Sequence, residues 1–298
     1  MPAFYFLFNM DIILENGQVI IDLDDAEFQA FEAMFANLGI NHMVMLEGLD
    51  WPPGHSQDGE SLYPLLPMHL CRTIGEACAV EQAGPLDILS LYPFWKYGFC
   101  FSEETALKLE FAEIDPHKKA NLSDEFGMGF AAWAMEEIFG CVAWCDTADA
   151  LTQWEIEQIG SRLPDFVCLF EDGSFGVFEA KGTTTTLGTA RSQTEDGKLQ
   201  TATIEAESGS IALRCACGIH LNQSGTSTLI LRDPPPAGAG SIPVNLTPDA
   251  IIRGAEARRY RESIFGDMAT RFRAGRRKFD LVRKPFVPDK RHGWLDVE

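Results

Sequence analysis

The chain has 298 residues, 46% hydrophobic and 23% charged, enough for one large domain or two modest ones with a substantial core. No run approaches the roughly 20 apolar residues of a membrane helix, because Glu136 and Glu137 break "FAAWAMEEIFGCVAW", and the apolar start lacks the basic region and cleavage site of an export signal. These features predict a cytoplasmic protein with no membrane partner. The net charge of −20 argues against a simple polyanion binder, but it is unevenly spread: residues 251–298 carry 13 Lys+Arg against 7 Asp+Glu, whereas the first 250 residues sum to −26.

Apolar and polar residues alternate around Asn16-Gly17, a strong hairpin signal, predicting strands near Tyr5 to Leu14 and Val19 to Leu23. The run from Asp24 to Gly39 opens with acids, repeats apolar residues at helical spacing and stops at glycine, so it predicts a helix. Residues 48–66, rich in Pro, Gly and Ser, read as an irregular loop, and a helix near Met68 to Gln82 and an aromatic segment follow. The polar "IDPHKKANLS" marks a boundary near 115–122. Residues 1–118 are then a smaller α+β domain, a candidate for recognising a partner or substrate, and residues 119–298 form a second domain; a protein partner or a homodimer is among the expected associations.

Ser123 can cap a long helix that ends at Gly140. Glu125, Gly129, Ala132 and Glu136, spaced four, three and four, share one of its faces, while Phe126, Phe130, Ala134 and Ile138 form a core-seeking stripe. Beyond residue 183 come a Thr-rich loop, a polar segment with Lys198 and Gln200, and strands over "SIALRCACGIH" and "STLILRD". The last segment, 251–298, mixes arginine with Phe, Tyr and Ile and reads as a basic helical tail able to grip phosphates.

The stretch that carries chemistry is "RLPDFVCLFEDGSFGVFEAKGT", Arg162 to Thr183: two apolar runs around a turn, the first entered through Asp165 and the second ending in Glu179-Ala180-Lys181. In a strand, Glu179 and Lys181 share a face. A two-residue turn at Asp172-Gly173 pairs 165 with 180 and sends Asp165 to the other face. A three-residue loop, Glu171-Asp172-Gly173, pairs 165 with 179, puts glycine at the left-handed position, and gathers Asp165, Glu179 and Lys181 on one side with Val167, Leu169 and Val177. The second register, or an equivalent bulge, is the expected arrangement. Phe166, Cys168, Phe170, Phe178 and Ala180 make the opposite face apolar too, so the sheet needs helices on both sides. Two carboxylates converging at a strand end call for a cation, and oxygen ligands suit Mg²⁺ or Mn²⁺.

Pro164-Asp165, a 13-residue gap and Glu179-Ala180-Lys181 closely resemble the PD-(D/E)xK nuclease superfamily. The resemblance, covering about residues 120–235, implies an α/β (α+β) restriction-endonuclease-like core, a mixed sheet flanked by helices, and metal-dependent phosphodiester hydrolysis. It further implies Asp165 and Glu179 as metal ligands, the Ala180 carbonyl as a third, and Lys181 as the catalytic lysine. Members often add an acid from the helix before the motif, for which Glu125 is favoured with Glu136 and Glu137 in reserve, and a Gln or Lys from the helix after it, which Gln200 and Lys198 match loosely. DNA is the expected partner ahead of RNA, and defence against foreign DNA the implied role.

Cys215-Ala216-Cys217 with His220, helped by Cys141 and Cys145, is a loose zinc pattern, but its spacing is too tight and it lies in a strand, so structural zinc is not expected. No nucleophile elbow or phosphate-binding glycine loop is present. The alternative to an enzyme is an acidic binding or regulatory module that keeps a nuclease-like fold as scaffold, which the −26 of the first 250 residues favours.

Overall fold

A computed structural model describes residues 11–15, 18–22, 29, 33, 36–48, 60–78, 97–98, 100–102, 104, 106–109, 116–233, 241–256, 278–281, 286–287 and 295–296. At its centre lies a seven-stranded mixed sheet. Its strands are β3 (His42–Glu47), β4 (Glu60–Leu65), β5 (Ala143–Asp146), β6 (Phe166–Leu169), β7 (Phe175–Thr183), β9 (Ile211–His220) and β10 (Thr228–Arg232), in the order β4-β3-β10-β9-β7-β6-β5. The pairs β3–β10 and β7–β9 are parallel and the rest antiparallel.

Two apolar cores lie on the two faces of this sheet, as strands greasy on both sides require. On one face Phe166, Cys168, Phe178, Ala180, Cys215 and Cys217 meet α2 (Pro116–Glu137) through Phe126 and Phe130, and α1 (Pro67–Cys78) packs on α2 through Leu70 and Ile74. On the other, Val167, Leu169, Phe175 and Val177 meet Ile159, Ile204, Val244 and Ile251. These come from α4 (Gln153–Ile159), β8 (Ile204–Ala206), its parallel partner β11 (Ile242–Val244), and a helical stretch over 248–256. A short α3 (Thr147–Ala150) precedes α4, and α5 (Leu187–Thr201) covers β7 and β9. Thr152 and Glu155 form a capping box on α4, and Glu155 Oε1 also accepts from Asn245 N at 2.7 Å, pinning the later segment to this helix.

The sheet crosses the boundary expected at 118/119: β3 and β4 pair into it, and residues on both sides share one core. Residues 60–65, expected as loop, form the edge strand β4. Pro64 stands on that edge strand, where its missing N–H is tolerated. At the N-terminus β1 (Asp11–Glu15) and β2 (Gln18–Asp22) pair as the hairpin expected around Asn16-Gly17; Tyr5 to Met10 lie outside the described residues. The helical tail needs correcting at its far end, where β12 (Lys278–Leu281) pairs antiparallel with β2, and β13 (Phe286–Val287) pairs with β14 (Leu295–Asp296). "KFDL" alternates with period two, and prolines at 285 and 288 oppose a helix there. Residues 257–277, with most of the tail arginines, lie outside the described residues. No helix among the described residues is long and apolar enough to cross a membrane.

Candidate active site

The hairpin β6–β7 sets the site. Phe166 pairs with Phe178 and Leu169 with Phe175, which places 165 opposite 179. The loop closes with Phe170 N donating to Ser174 O at 2.9 Å and Gly173 N to Phe170 O at 3.0 Å, and Gly173 takes φ +83°, where a side chain would be strained. Glu171-Asp172-Gly173 is therefore the three-residue loop, and Asp172 Oδ1 fastens it by accepting from Ser174 N at 2.9 Å.

With this register, Asp165, Glu179 and Lys181 come together. Ala180 N donates to Asp165 Oδ2 at 2.8 Å, and Asp165 N donates to Glu179 Oε2 at 3.3 Å. Lys181 Nζ donates to Glu179 Oε1. Glu179 has 0% exposure, whereas the Lys181 side chain is 31% exposed and can meet a ligand. Since a strand residue sends its N–H and C=O to the same side, the Ala180 carbonyl leaves β7 on the Asp165 side, where pairing with β6 has already ended at Phe166.

Burial pushes the Glu179 carboxyl up to about 7, and the neighbouring Asp165 charge adds to the rise, outweighing Lys181. Burial likewise raises Asp165, against the opposing effects of the Ala180 N–H and Lys181. The pair is short of positive charge: one lysine does not hold both acids ionised near neutrality. That deficit, two carboxylates and a strand carbonyl directed past the end of β6 fit a hard divalent cation with oxygen ligands. Among the described residues no group of three or more His, Cys, Asp or Glu is assembled as a metal site; the oxygens that could hold a cation here are those of the two acids and the Ala180 carbonyl.

Two glycines let α2 reach the site. An added Cβ on Gly182 would stand 1.8 Å from Ser123 O, and one on Gly127 would stand 2.8 Å from Gly182 N, so helix and strand meet backbone to backbone. This contact fixes the rotation of α2 about its axis. The exposed Asp124 is the helix acid whose charge acts on Asp165 and helps raise it. Glu125 and Glu136 belong to the stripe that α1 covers. Cys78 Sγ donates to Glu125 O at 3.8 Å, and Thr73 Oγ1 to Gly129 O at 2.9 Å. Glu136 accepts from Trp144 Nε1 at 2.9 Å and pairs with His69 at 2.9 Å and with Arg72; Glu137 stands 3.2 Å from His69 Nδ1. The small residues there serve a helix–helix seam, and the residues at 123, 124 and 127 face the strand end.

On the other face, α5 lays its backbone over the acids: a Cβ on Gly197 would lie 3.1 Å from Glu179 Cγ and 3.7 Å from Lys181 Cε. One turn earlier stands Gln193, whose Oε1 is buried without a hydrogen-bond partner among the described residues. Lys198 instead pairs with Glu195 at 2.9 Å, and its charge acts on Asp233 beyond β10. Gln200 lies three residues after Gly197 in the last turn of α5, where its carbonyl accepts from Thr203 N at 3.0 Å. Sequence reasoning missed Asp124 and Gln193; the signals that could have found them are the glycines at 127 and 197, which mark where each helix touches the hairpin. Cys215 and Cys217 are buried in the first core, and His220 ends β9. Comparison with family models gives no match, nor does comparison with curated proteins or with solved structures.

Proposed function

We propose that the protein is a metal-dependent nuclease, with DNA as the expected substrate. The observation that carries this reading is the convergence of Asp165, Glu179 and Lys181 at the open end of an antiparallel hairpin, with the acids held in an environment short of cations. The order α2-β5-β6-β7-α5-β9, with β9 parallel to β7, supports a restriction-endonuclease-like core.

In this reading Asp165, Glu179 and the Ala180 carbonyl hold Mg²⁺ or Mn²⁺, which when bound supplies charge neutralisation at a phosphate and a more acidic water. Lys181 keeps its ammonium beside Glu179 while remaining reachable from solvent, so it can orient the attacking water and offset charge building on the phosphate oxygens. The Ala180 N–H fixes the Asp165 carboxylate so that its rotamer does not have to be found at each turnover. Gln193, one turn before Gly197 and with a buried amide oxygen to satisfy, would orient water from the α5 side.

The test is cleavage of supercoiled plasmid, linear duplex, single-stranded DNA and RNA with Mg²⁺ or Mn²⁺ by the wild type, Glu179→Ala and Lys181→Ala. Metal-requiring cleavage lost in both variants supports the enzyme and identifies its substrate. A folded wild type inert on every substrate favours the non-enzymatic module, the reading that the −26 of residues 1–250 supports through repulsion of phosphates.

A further inference from the structure

None of the eight cysteines is in a disulfide, and two of them, distant in sequence, touch: Cys141 Sγ donates to Cys168 Sγ at 2.9 Å. Cys141 lies in the turn that ends α2, and Cys168 lies on β6, three residues after Asp165. Both belong to the first core, but they differ in access, Cys141 being partly exposed and Cys168 fully buried. Room for the Cys168 sulfur comes from the strand beside it, where an added Cβ on Gly176 would stand 2.6 Å from Cys168 Sγ. The nearby thiols of Cys215 and Cys217 are 3.7 Å apart on one strand, where successive same-face residues do not suit a disulfide, and both are buried.

We infer that Cys141 and Cys168 are a redox-active dithiol that closes reversibly to a disulfide when a peroxide reaches Cys141. The Cys141 thiolate attacks one peroxide oxygen, the O–O bond breaks, and Cys141 becomes a sulfenic acid while the other oxygen leaves as hydroxide, which takes up a proton. Cys168 sulfur then attacks Cys141 sulfur, the S–O bond breaks, and water leaves with the thiol proton. In sum, two thiols and one hydrogen peroxide give one disulfide and two waters, the sulfurs losing two electrons and the peroxide gaining them. A thiol or dithiol reductant reverses the step by exchange. Burial raises the Cys168 thiol well above its ordinary range and keeps it from meeting peroxide first; what makes it the resolving partner is its sulfur standing 2.9 Å from that of Cys141.

The bridge closes a loop whose interior holds β5, α3, α4 and the Pro164-Asp165 entry to β6. Oxidation thus pins both ends of the segment that delivers Asp165, a consequence that does not depend on what Asp165 does.

The experiment treats the full-length protein with a small excess of hydrogen peroxide, then maps peptides by mass spectrometry and counts free thiols before and after dithiothreitol. The expected result is loss of two thiols of eight, a linked peptide pair containing Cys141 and Cys168, recovery on reduction, and slower hydrogen exchange over 142–167 in the oxidised form. Cys141→Ser, at the partly exposed position, should fold, keep Cys168 reduced and abolish the linked pair; Cys168→Ala should instead trap a dimedone-reactive Cys141. A peroxide-induced loss of two thiols that persists in Cys141→Ser, a bridge between other cysteines in the wild type, or eight thiols surviving peroxide would each overturn the inference.

Discussion

Replacing Glu179 by glutamine should make the metal-free protein more stable above neutrality, although it removes an ion pair. Glu179 has 0% exposure and its carboxyl is raised from 4.5 to about 7. For an acid raised on folding, the unfolded chain ionises first as pH rises. Between 4.5 and 7 the folded state therefore holds the extra proton, and stability falls with rising pH. At 1.36 kcal/mol per unit the loss is about 3 kcal/mol once pH passes 7, and it vanishes below 4.5. Part of that titration belongs to Asp165, so the two acids lose their protons as a pair. Glutamine keeps an acceptor for Asp165 N and leaves Lys181 to solvent. Urea unfolding at pH 5, 6, 7 and 8 without divalent cations should show the wild type weakening with pH relative to Glu179→Gln, with the curves converging toward pH 5. Mg²⁺ should close the gap at pH 8 by stabilising the wild type alone. Parallel curves from pH 5 to 8 would show that the acids are not short of cations, and the argument for a metal would lose its footing.

Gly182→Ala drives a Cβ to 1.8 Å from Ser123 O, a collision between two backbones, and should cost about 3 kcal/mol or more by thermal unfolding while also weakening metal binding. Glu136 is half-buried, which pushes its carboxyl up, but His69, Arg72 and Trp144 hold it at about 2. Its contribution is present above pH 4.5 and lost as pH falls toward 2, so Glu136→Gln should cost about 2–3 kcal/mol at pH 7 and nothing near pH 2, read from denaturant midpoints. If the protein cleaves DNA, Asp124→Asn should reduce metal affinity while Glu125→Gln leaves it near wild type, as titration calorimetry with Mn²⁺ would show.

The hairpin was legible because its turn chemistry and side-chain alternation constrain each other: a glycine at 173 and acids at 165 and 179 agree on one register. The helix before it was less so. A stripe of Glu125, Gly129, Ala132 and Glu136 suggests a site-facing surface, but α1 covers it, and a partner helix more than 40 residues upstream leaves no local trace. The same non-locality hid β4: Glu60 to Leu65 sit in a stretch full of Pro and Gly, and their strand character comes from β3 alongside. On α5 the polar sequence offered several candidates, and only the packing of Gly197 against Glu179 selects the face.

The parallel pairing of β3 with β10 has a consequence for synthesis. Glu47, at the end of β3, receives Arg232 from a point 185 residues later, and Arg191 on the way. At roughly 5–20 residues per second, β3 and β4 wait on the order of 10–40 s for the strand that shields their inner side. Through that interval a growing chain carries Met45, Leu46 and Glu47 with an unpaired edge, the feature that invites association between neighbouring nascent chains. Yield of this protein should therefore respond to the pace of translation and to chaperones that hold extended apolar segments, even in variants whose finished fold is as stable as the wild type.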